Sequence, residues 1–381
     1  MLKVAHFVEY APHRAGIYET TREVAWAQRE HLSWDARIID ITSVVKKGME
    51  SKSDGEDRGV PIVGYDWSSK ADVHFLHSGI PSNLQGTRPM FYFAHGLPEY
   101  IFYSQMMVEL HPDEGIRKQR LERTPFGGSW ALITDIGKRE WMKGAITLWE
   151  RHAPYLEPYF GNVIQANHFC DLNDFTPEGD KIKFGYSTEG EKLEFGRPAD
   201  EGGLNIVFAD TWRYTAFKDP FQVLHGARKF CQETGSRIHL CSVPMNEVQL
   251  NRHPWNAIIV DGVSDGLKHT VGDFRGYKDD MASIHRAADL LITPSCDDTR
   301  TVLEASACGC PVLARHGARG ATYHCRIEDP ADMYSALKRI HSQLSKPEKA
   351  AQVRAKARKT AETFSLEDAV RKMEAGMLKV L

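Results

Sequence analysis

The sequence predicts an α/β protein of two doubly wound, Rossmann-like halves, and three observations predict it. Short apolar runs of strand length alternate with stretches of helical spacing along the 381-residue chain. The alternation breaks once, in a Gly-, Glu-, Lys- and Asp-rich stretch near residues 176–203, and then restarts. The length exceeds what one ordinary core fills and suits two domains.

In the first half, residues 4–8 are expected to form the opening strand. A loop with Pro12 and Gly16 follows, and Ile17, Val24 and Leu32 then recur at near-helical spacing. Further strands are expected at 37–41, 72–76, 90–94, 130–134 and 163–166, with a polar loop at 51–58 and a helical stretch after Ile136. A small hairpin is expected around 184–193. In the second half, strands are expected at 204–208, 237–241, 257–260, 290–293 and 311–314, and helices at 220–234 and 302–308. Residues 346–381 read as helix without strands. Such alternation implies parallel sheets with helices on both faces, and two such domains are expected to place a ligand cleft at the carboxyl ends of their strands.

Composition excludes several classes. Hydrophobic content of 42% and charged content of 26% fit an ordinary globular protein rather than a disordered one. A net charge of −3 supplies no global field for nucleic acid or an anionic membrane, so any such contact needs a local patch. Seven cysteines without a Cys-x-x-Cys pair argue against a disulfide framework or a zinc site and for a reducing compartment. The opening MLKVAHFVEY alternates like a strand and is too short for a signal peptide, and no window reaches the length of a transmembrane span. A cytoplasmic protein is expected.

The most specific segment is TPSCDDTRTVLEASACGCPVLA, residues 293–314. It holds a strand end, a polar loop, a helix with a glutamate near its start, and Gly-x-Pro-Val entering another strand. A helix start leaves backbone N–H groups unpaired and partly positive, which suits a diphosphate. Glu304 can accept from ribose hydroxyls, and Gly309 and Pro311 make the tight return to the sheet. Pro294, Ser295, Leu303, Glu304, Ala305, Ala307, Gly309, Pro311 and Val312 together resemble the donor-site signature of retaining glycosyltransferases of the GT-B fold, the glycogen-synthase-like group called glycosyltransferase family 4. The pattern's first acidic residue would fall at Cys296. The loop is two residues short, with Asp298 as the stand-in and Asp297 as the second choice. Arg300 and Thr301 replace the family's Phe-Gly.

The resemblance extends over nearly the whole chain, more loosely in the first half. ADTWRYTAFKDPF is similar to the family's Gly-Arg…Lys-Gly segment that grips the donor phosphates, which carries over to Arg213 and Lys218, with Asp219 in place of the usual glycine. Gly276 and Tyr277 fall where backbone groups meet the nucleotide base; a simple turn glycine explains Gly276 equally well. FYFAHG ends a strand at His95, where the family often has a histidine near the donor sugar and the acceptor. Gly16 matches the second member of the family's Gly-Gly loop, where a small residue admits the sugar diphosphate. NVIQANHFCDLNDFTP matches the stretch that closes the first domain, and Phe364-Ser365 the terminal helix that crosses back to it. The resemblance thus implies GT-B architecture with two doubly wound Rossmann-like domains facing across a cleft. The acceptor domain would span 1–185 with a helix at about 365–381 packing back on it, and the donor domain 200–364.

The activity implied is transfer of a sugar from a nucleoside-diphosphate sugar, a UDP-sugar first, to an acceptor hydroxyl with retention. No metal or other cofactor is implied, and the sequence holds no Asp-x-Asp pair to seat one. His95, Arg213 and Lys218 are the expected catalytic residues. Gly16, Gly276, Tyr277, Asp298, Thr299, Arg300, Thr301, Val302 and Glu304 are the expected donor-binding residues. The acceptor is left open among a glycan, a lipid-linked glycan, a small molecule and a modified nucleic acid. EYIFYSQMMVEL, followed by Arg117, Lys118, Arg120 and Arg123, is either a core-facing helix beside a solvated one or, across 99–123, a peripheral docking surface for a membrane or a polyanion. Two alternatives remain. One is a sugar-nucleotide epimerase of the same architecture, and the other is a silent nucleotide-sugar-binding protein.

Overall fold

Two parallel sheets, each wound outward from its first strand, organise the chain. The computed structural model describes residues 1–10, 16–45, 48–77, 86–95, 136–182, 199–209, 220–242, 271–276 and 281–381. The chain divides into one unit of Met1–His168 with Leu366–Leu381 and a second of Phe169–Ser365. The strands expected at 130–134 and 257–260, the hairpin at 184–193 and the 99–123 segment lie outside the described residues.

The first unit contains β1 (Lys3–Val8), β2 (Asp35–Asp40), β3 (Glu56–Asp57), β4 (Val60–Val63), β5 (Val73–Leu76), β6 (Met90–Ala94), β7 (Met142–Thr147) and β8 (Val163–Gln165). Their order is β3-β4-β2-β1-β5-β6-β7-β8, and every pair is parallel except β3 with β4. The chain starts on β1, moves out through β2 and β4, then returns to the other side of β1 with β5. The order therefore reverses between β1 and β5. Near-continuous burial of β1, β5 and β6 is what a parallel sheet covered on both faces requires. Helix α1 (Gly16–Leu32) packs on β1 and β2, and the terminal helix, Leu366–Met377, packs on α1 and β8.

Two local expectations are corrected. The stretch after Ile136 is not a helix beyond one turn: it becomes β7, an internal strand between β6 and β8. The charged lead-in Lys138-Arg139-Glu140 hides a short run whose Ala145 and Ile146 are fully buried. The polar loop expected at 51–58 ends instead in the edge hairpin β3–β4. Its turn residues Arg58 and Gly59 both have positive φ, 46° and 80°, the backbone twist that a two-residue hairpin turn needs.

The second unit contains β9 (Asn205–Phe208), α2 (Pro220–Thr234), β10 (Arg237–Ser242), β11 (Val271–Gly276), α3 (Met281–Ala287), β12 (Leu290–Ile292), α4 (Arg300–Ala307), β13 (Val312–Ala314), β14 (Tyr323–His324), α5 (Pro330–Leu344) and α6 (Pro347–Ala361). The sheet runs β11-β10-β9-β12-β13-β14, all parallel. This is the doubly wound 3-2-1-4-5-6 order of a Rossmann fold. Strand parity separates its two cores. Ile206, Phe208, Leu290, Ile292 and Leu313 pack with α2 and α5, whereas Val207, Leu291, Val312 and Ala314 pack with α4 and the end of α6. Residues 169–182 belong to this unit: Cys170 and Phe175 lie in the α4-side core, and Arg358 Nη1 donates to the Phe175 carbonyl at 2.8 Å.

Candidate functional site

In the second unit the strand order reverses between β9 and β12, and open α/β sheets bind ligands at the carboxyl ends of strands beside such a reversal. Residues 293–299 leave β12 at that point. Their course is fixed from within and from β13. Ser295 N donates to Thr293 Oγ1 at 3.1 Å, and Arg315 N donates to the Ser295 carbonyl at 3.1 Å. Asp298 is 5% exposed and is tied to the loop after β13. Its Oδ1 accepts from the Gly320 amide at 2.6 Å and its Oδ2 from Arg319 Nε at 3.3 Å. Burial pushes the Asp298 carboxyl above the usual carboxylate range, and the Gly320 and Arg319 bonds oppose that shift.

Helix α4 starts from Thr299, whose φ of −79° and ψ of 160° are those of an N-cap residue. Thr299 makes no side-chain cap, and its buried Oγ1 has no hydrogen-bond partner. The helix start therefore presents amide donors that no cap side chain satisfies, together with a buried hydroxyl, and an anion fits both. Thr301 is half-buried and Val302 fully buried. Glu304 lies one turn in, 4% exposed, and accepts from Arg300 Nε at 2.5 Å. At its other end α4 closes with Gly309 at φ 73°. Cys310 N donates to the Ala305 carbonyl and Gly309 N to the Ser306 carbonyl, the paired bonds of a Schellman cap. Pro311 then leads into β13.

In the first unit the reversal between β1 and β5 carries a different set of groups. His6 sits on β1 beside Phe75, and His77 follows two residues later on the same face. By the β5–β6 register His77 stands opposite Phe93, and His95 again follows by two. The three imidazoles climb diagonally towards the carboxyl ends of the strands. His6 Nδ1 is 2.9 Å from His77 Nε2, and His77 Nδ1 is 2.7 Å from His95 Nε2. At the inner end His6 Nε2 lies 2.8 Å from Gln28 Oε1 on α1. Phenylalanines fill the gaps: His6 stacks on Phe75, and Phe93 stacks on both His77 and His95. His6 and His77 are buried and His95 is half-buried. Burial lowers His6 to about 4 and His95 to about 3, with His168 adding to the second shift, and it drives His77 well below the ordinary imidazole value.

Of the residues singled out from the sequence, Asp298, Thr299, Arg300, Thr301, Val302 and Glu304 come together at the start of α4. His95 stands at the top of the histidine diagonal. Gly16 is the exposed first residue of α1, and a Cβ there would meet nothing within 4 Å. Gly276 ends β11. Arg213, Lys218 and Tyr277 lie outside the described residues; the segment carrying Arg213 and Lys218 connects β9, the neighbour of β12, to α2. His6, His77 and Gln28 escaped sequence reading. The histidines stand in VAHFV, VHFLH and FYFAH, one within a strand and two just past strand ends, but only the sheet order makes them neighbours. Among the described residues no group of three or more His, Cys, Asp or Glu is placed to hold a metal ion, and no helix is long and apolar enough to cross a membrane.

Two Rossmann-like units, each with its strand order reversing beside its first strand, constitute the fold of the GT-B glycosyltransferases. Among solved structures, a glycosyltransferase from Rickettsia africae is similar at TM-score 0.61 and 15% identity, covering 100% of this chain and 98% of that one. Anabaena HepE in complex with UDP-glucose is similar at TM-score 0.61 and 14% identity over 100% of both chains. The catalytic domain of starch synthase IV from Arabidopsis thaliana, bound to ADP and acarbose, is similar at TM-score 0.63 and 12% identity over 100% of this chain and 99% of that one. By sequence, no family model and no curated protein matches the chain.

Proposed function

We propose that the protein is a glycosyltransferase that moves a sugar from a nucleoside-diphosphate sugar, a UDP-sugar first, to an acceptor hydroxyl, with retention and without a metal, in the cytoplasm. The observation that carries this reading is the start of α4: donors that no cap side chain satisfies, a buried Thr299 hydroxyl without a partner, and the Glu304 carboxylate one turn further in, all at the strand-order reversal. Diphosphate chemistry fits the first two and ribose hydroxyls fit the third. Solved structures of HepE hold UDP-glucose and UDP, which supports the same ligand class. In this reading Gly16, Gly276, Tyr277, Asp298, Thr299, Arg300, Thr301, Val302 and Glu304 bind the donor. Arg213 and Lys218 neutralise the departing diphosphate, and His95 meets the sugar. The bond between the anomeric carbon and the diphosphate oxygen breaks, a bond from that carbon to the acceptor oxygen forms, and the acceptor proton passes to the leaving phosphate.

A second reading, a nucleotide-sugar-binding protein without turnover, draws on one observation: both oxygens of Asp298 are engaged by Gly320 and Arg319 rather than held open for a sugar. A thermal-shift screen of nucleoside-diphosphate sugars, followed by product analysis with and without acceptors, separates the readings. Binding with transfer supports the first, binding without turnover the second, and stabilisation by none of the donors sinks both. Glu304→Ala is expected to weaken donor binding about tenfold or more, as loss of a hydrogen bond to a charged group does, and Lys218→Ala to slow transfer. Wild-type titration and kinetics in those variants would remove the assigned roles.

A further inference from the structure

The histidine diagonal is an unusual use of a sheet interior. His6 occupies a β1 position of the kind a parallel sheet normally fills with an aliphatic side chain, His77 and His95 follow the ends of β5 and β6, and Gln28 meets His6 from α1. Each link also constrains the next. A carbonyl oxygen only accepts, so with Gln28 Oε1 facing it, His6 carries its proton on Nε2. Neutral His6 then offers a lone pair on Nδ1, and His77 donates to it from Nε2. His77 in turn accepts on Nδ1 from His95 Nε2–H. The chain of donors ends at His95 Nδ1, a lone pair. Among the described residues His95 makes one side-chain hydrogen bond, that to His77, and its ring is half-buried and stacked on Phe93.

We propose that Gln28, His6 and His77 are positioning residues that fix His95 in a single neutral tautomer with Nδ1 as a bare acceptor, so that His95 takes a neutral hydroxyl of the transferred sugar and rejects a carboxylate in its place. The selectivity rests on the transferase reading; the tautomer chain does not. A hydroxyl donates to the lone pair. A uronate carboxylate has no proton to donate, and two lone pairs facing each other leave both polar groups unpaired. Protonating His95 would remove the conflict, but burial holds its pKa down at about 3. The Gln28 amide nitrogen, buried without a partner, is the one imperfect joint in the arrangement.

Two measurements on the full chain test this. In the first, long-range proton–nitrogen spectra of protein carrying 15N-histidine report the protonated nitrogen of each ring at neutral pH. His6, His77 and His95 are expected to be protonated on Nε2 alone. In His77→Leu, His95 is expected to show both tautomers. In His77→Gln, whose carbonyl accepts from His95 while its amide donates to His6, the single tautomer is expected to return. Protons on Nδ1 along the chain, or a His95 signal indifferent to His77→Leu, would overturn the relay. In the second, UDP-glucose and UDP-glucuronate compete as donors. The wild type is expected to prefer the hexose by at least about tenfold in kcat/KM, as loss of one buried hydrogen bond implies. His77→Leu should narrow that ratio and His77→Gln restore it. Equal use of the two donors by the wild type overturns the selectivity. Binding of neither donor, with the tautomers as stated, refutes the transferase reading and the selectivity together, and leaves the relay standing on the spectra.

Discussion

The two sheets reverse their strand order in the same way and furnish the reversal with opposite chemistry. At β12 the second unit presents backbone: an uncapped helix start, reached by a loop that Asp298 ties to Gly320. At β1 and β5 the first unit presents a row of side chains from one strand, two strand ends and a helix, joined head to tail. The first arrangement suits an anion, because partial charges on amide groups are fixed and need no titration. The second suits a neutral group, because every imidazole in it is held uncharged by burial. In the proposed transferase reading, the difference is that between a place for a diphosphate and a place for hydroxyls.

The comparison is broken most severely by acid. Among the described residues of the first unit, burial lowers His6, His74, His77, His95 and His152; in the second it lowers His239 and His285. A histidine whose folded pKa lies below its unfolded one binds fewer protons folded than unfolded. Its contribution is complete above about 6.5 and is lost as pH falls through the folded value. His6 alone, lowered from 6.5 to about 4, contributes on the order of 3 kcal/mol at neutral pH, at 1.36 kcal/mol per unit. Hydrogen exchange followed from pH 7 to pH 4 is expected to show β1, β5 and β6 losing protection before β9 and β12. Simultaneous loss, or earlier loss in the second sheet, would contradict the distribution of buried histidines.

Asp298 gives the next largest effect and sharpens the other half of the comparison. Asp298→Ala leaves the Gly320 amide unpaired, which costs about 1–3 kcal/mol for a buried group. Asp298→Asn keeps an acceptor for that amide and should cost far less. If Asp298 is only a clamp, donor affinity follows stability through both variants. If it also contacts the sugar, Asp298→Asn slows transfer while its denaturation midpoint stays near that of the wild type. Midpoints and donor titrations on the two variants decide between these.

Legibility in the sequence followed locality. The α4 segment could be read because strand end, helix and Gly-x-Pro return lie within 22 consecutive residues; the helix begins two residues earlier than its apolar pattern, directly after the extended backbone of Thr299. The 15-residue helix α2 was read to its ends, since it carries a long periodic face. β7 was not, because a short run holding a glycine after three charged residues carries too little periodicity. The histidine diagonal was read only at its last member. Residues 6, 28, 77 and 95 become neighbours through strand order and register, and a linear chain states neither.

The smallest effect separates the two ends of α4. Gly309 closes the helix at φ 73°, a conformation that costs a residue with a Cβ about 1 kcal/mol. Space is not the obstacle, since an added Cβ would meet the Arg354 carbonyl oxygen and the Pro177 ring at no closer than 3.7 Å. Gly309→Ala is therefore expected to lower the unfolding free energy by about 1 kcal/mol in a denaturant titration through backbone conformation alone. Donor affinity should stay at the wild-type value, because the diphosphate is assigned to the opposite end of the helix. A variant that keeps its stability but loses donor affinity would mean that the Gly-x-Pro return, and not the Thr299 start, is where this unit meets its ligand.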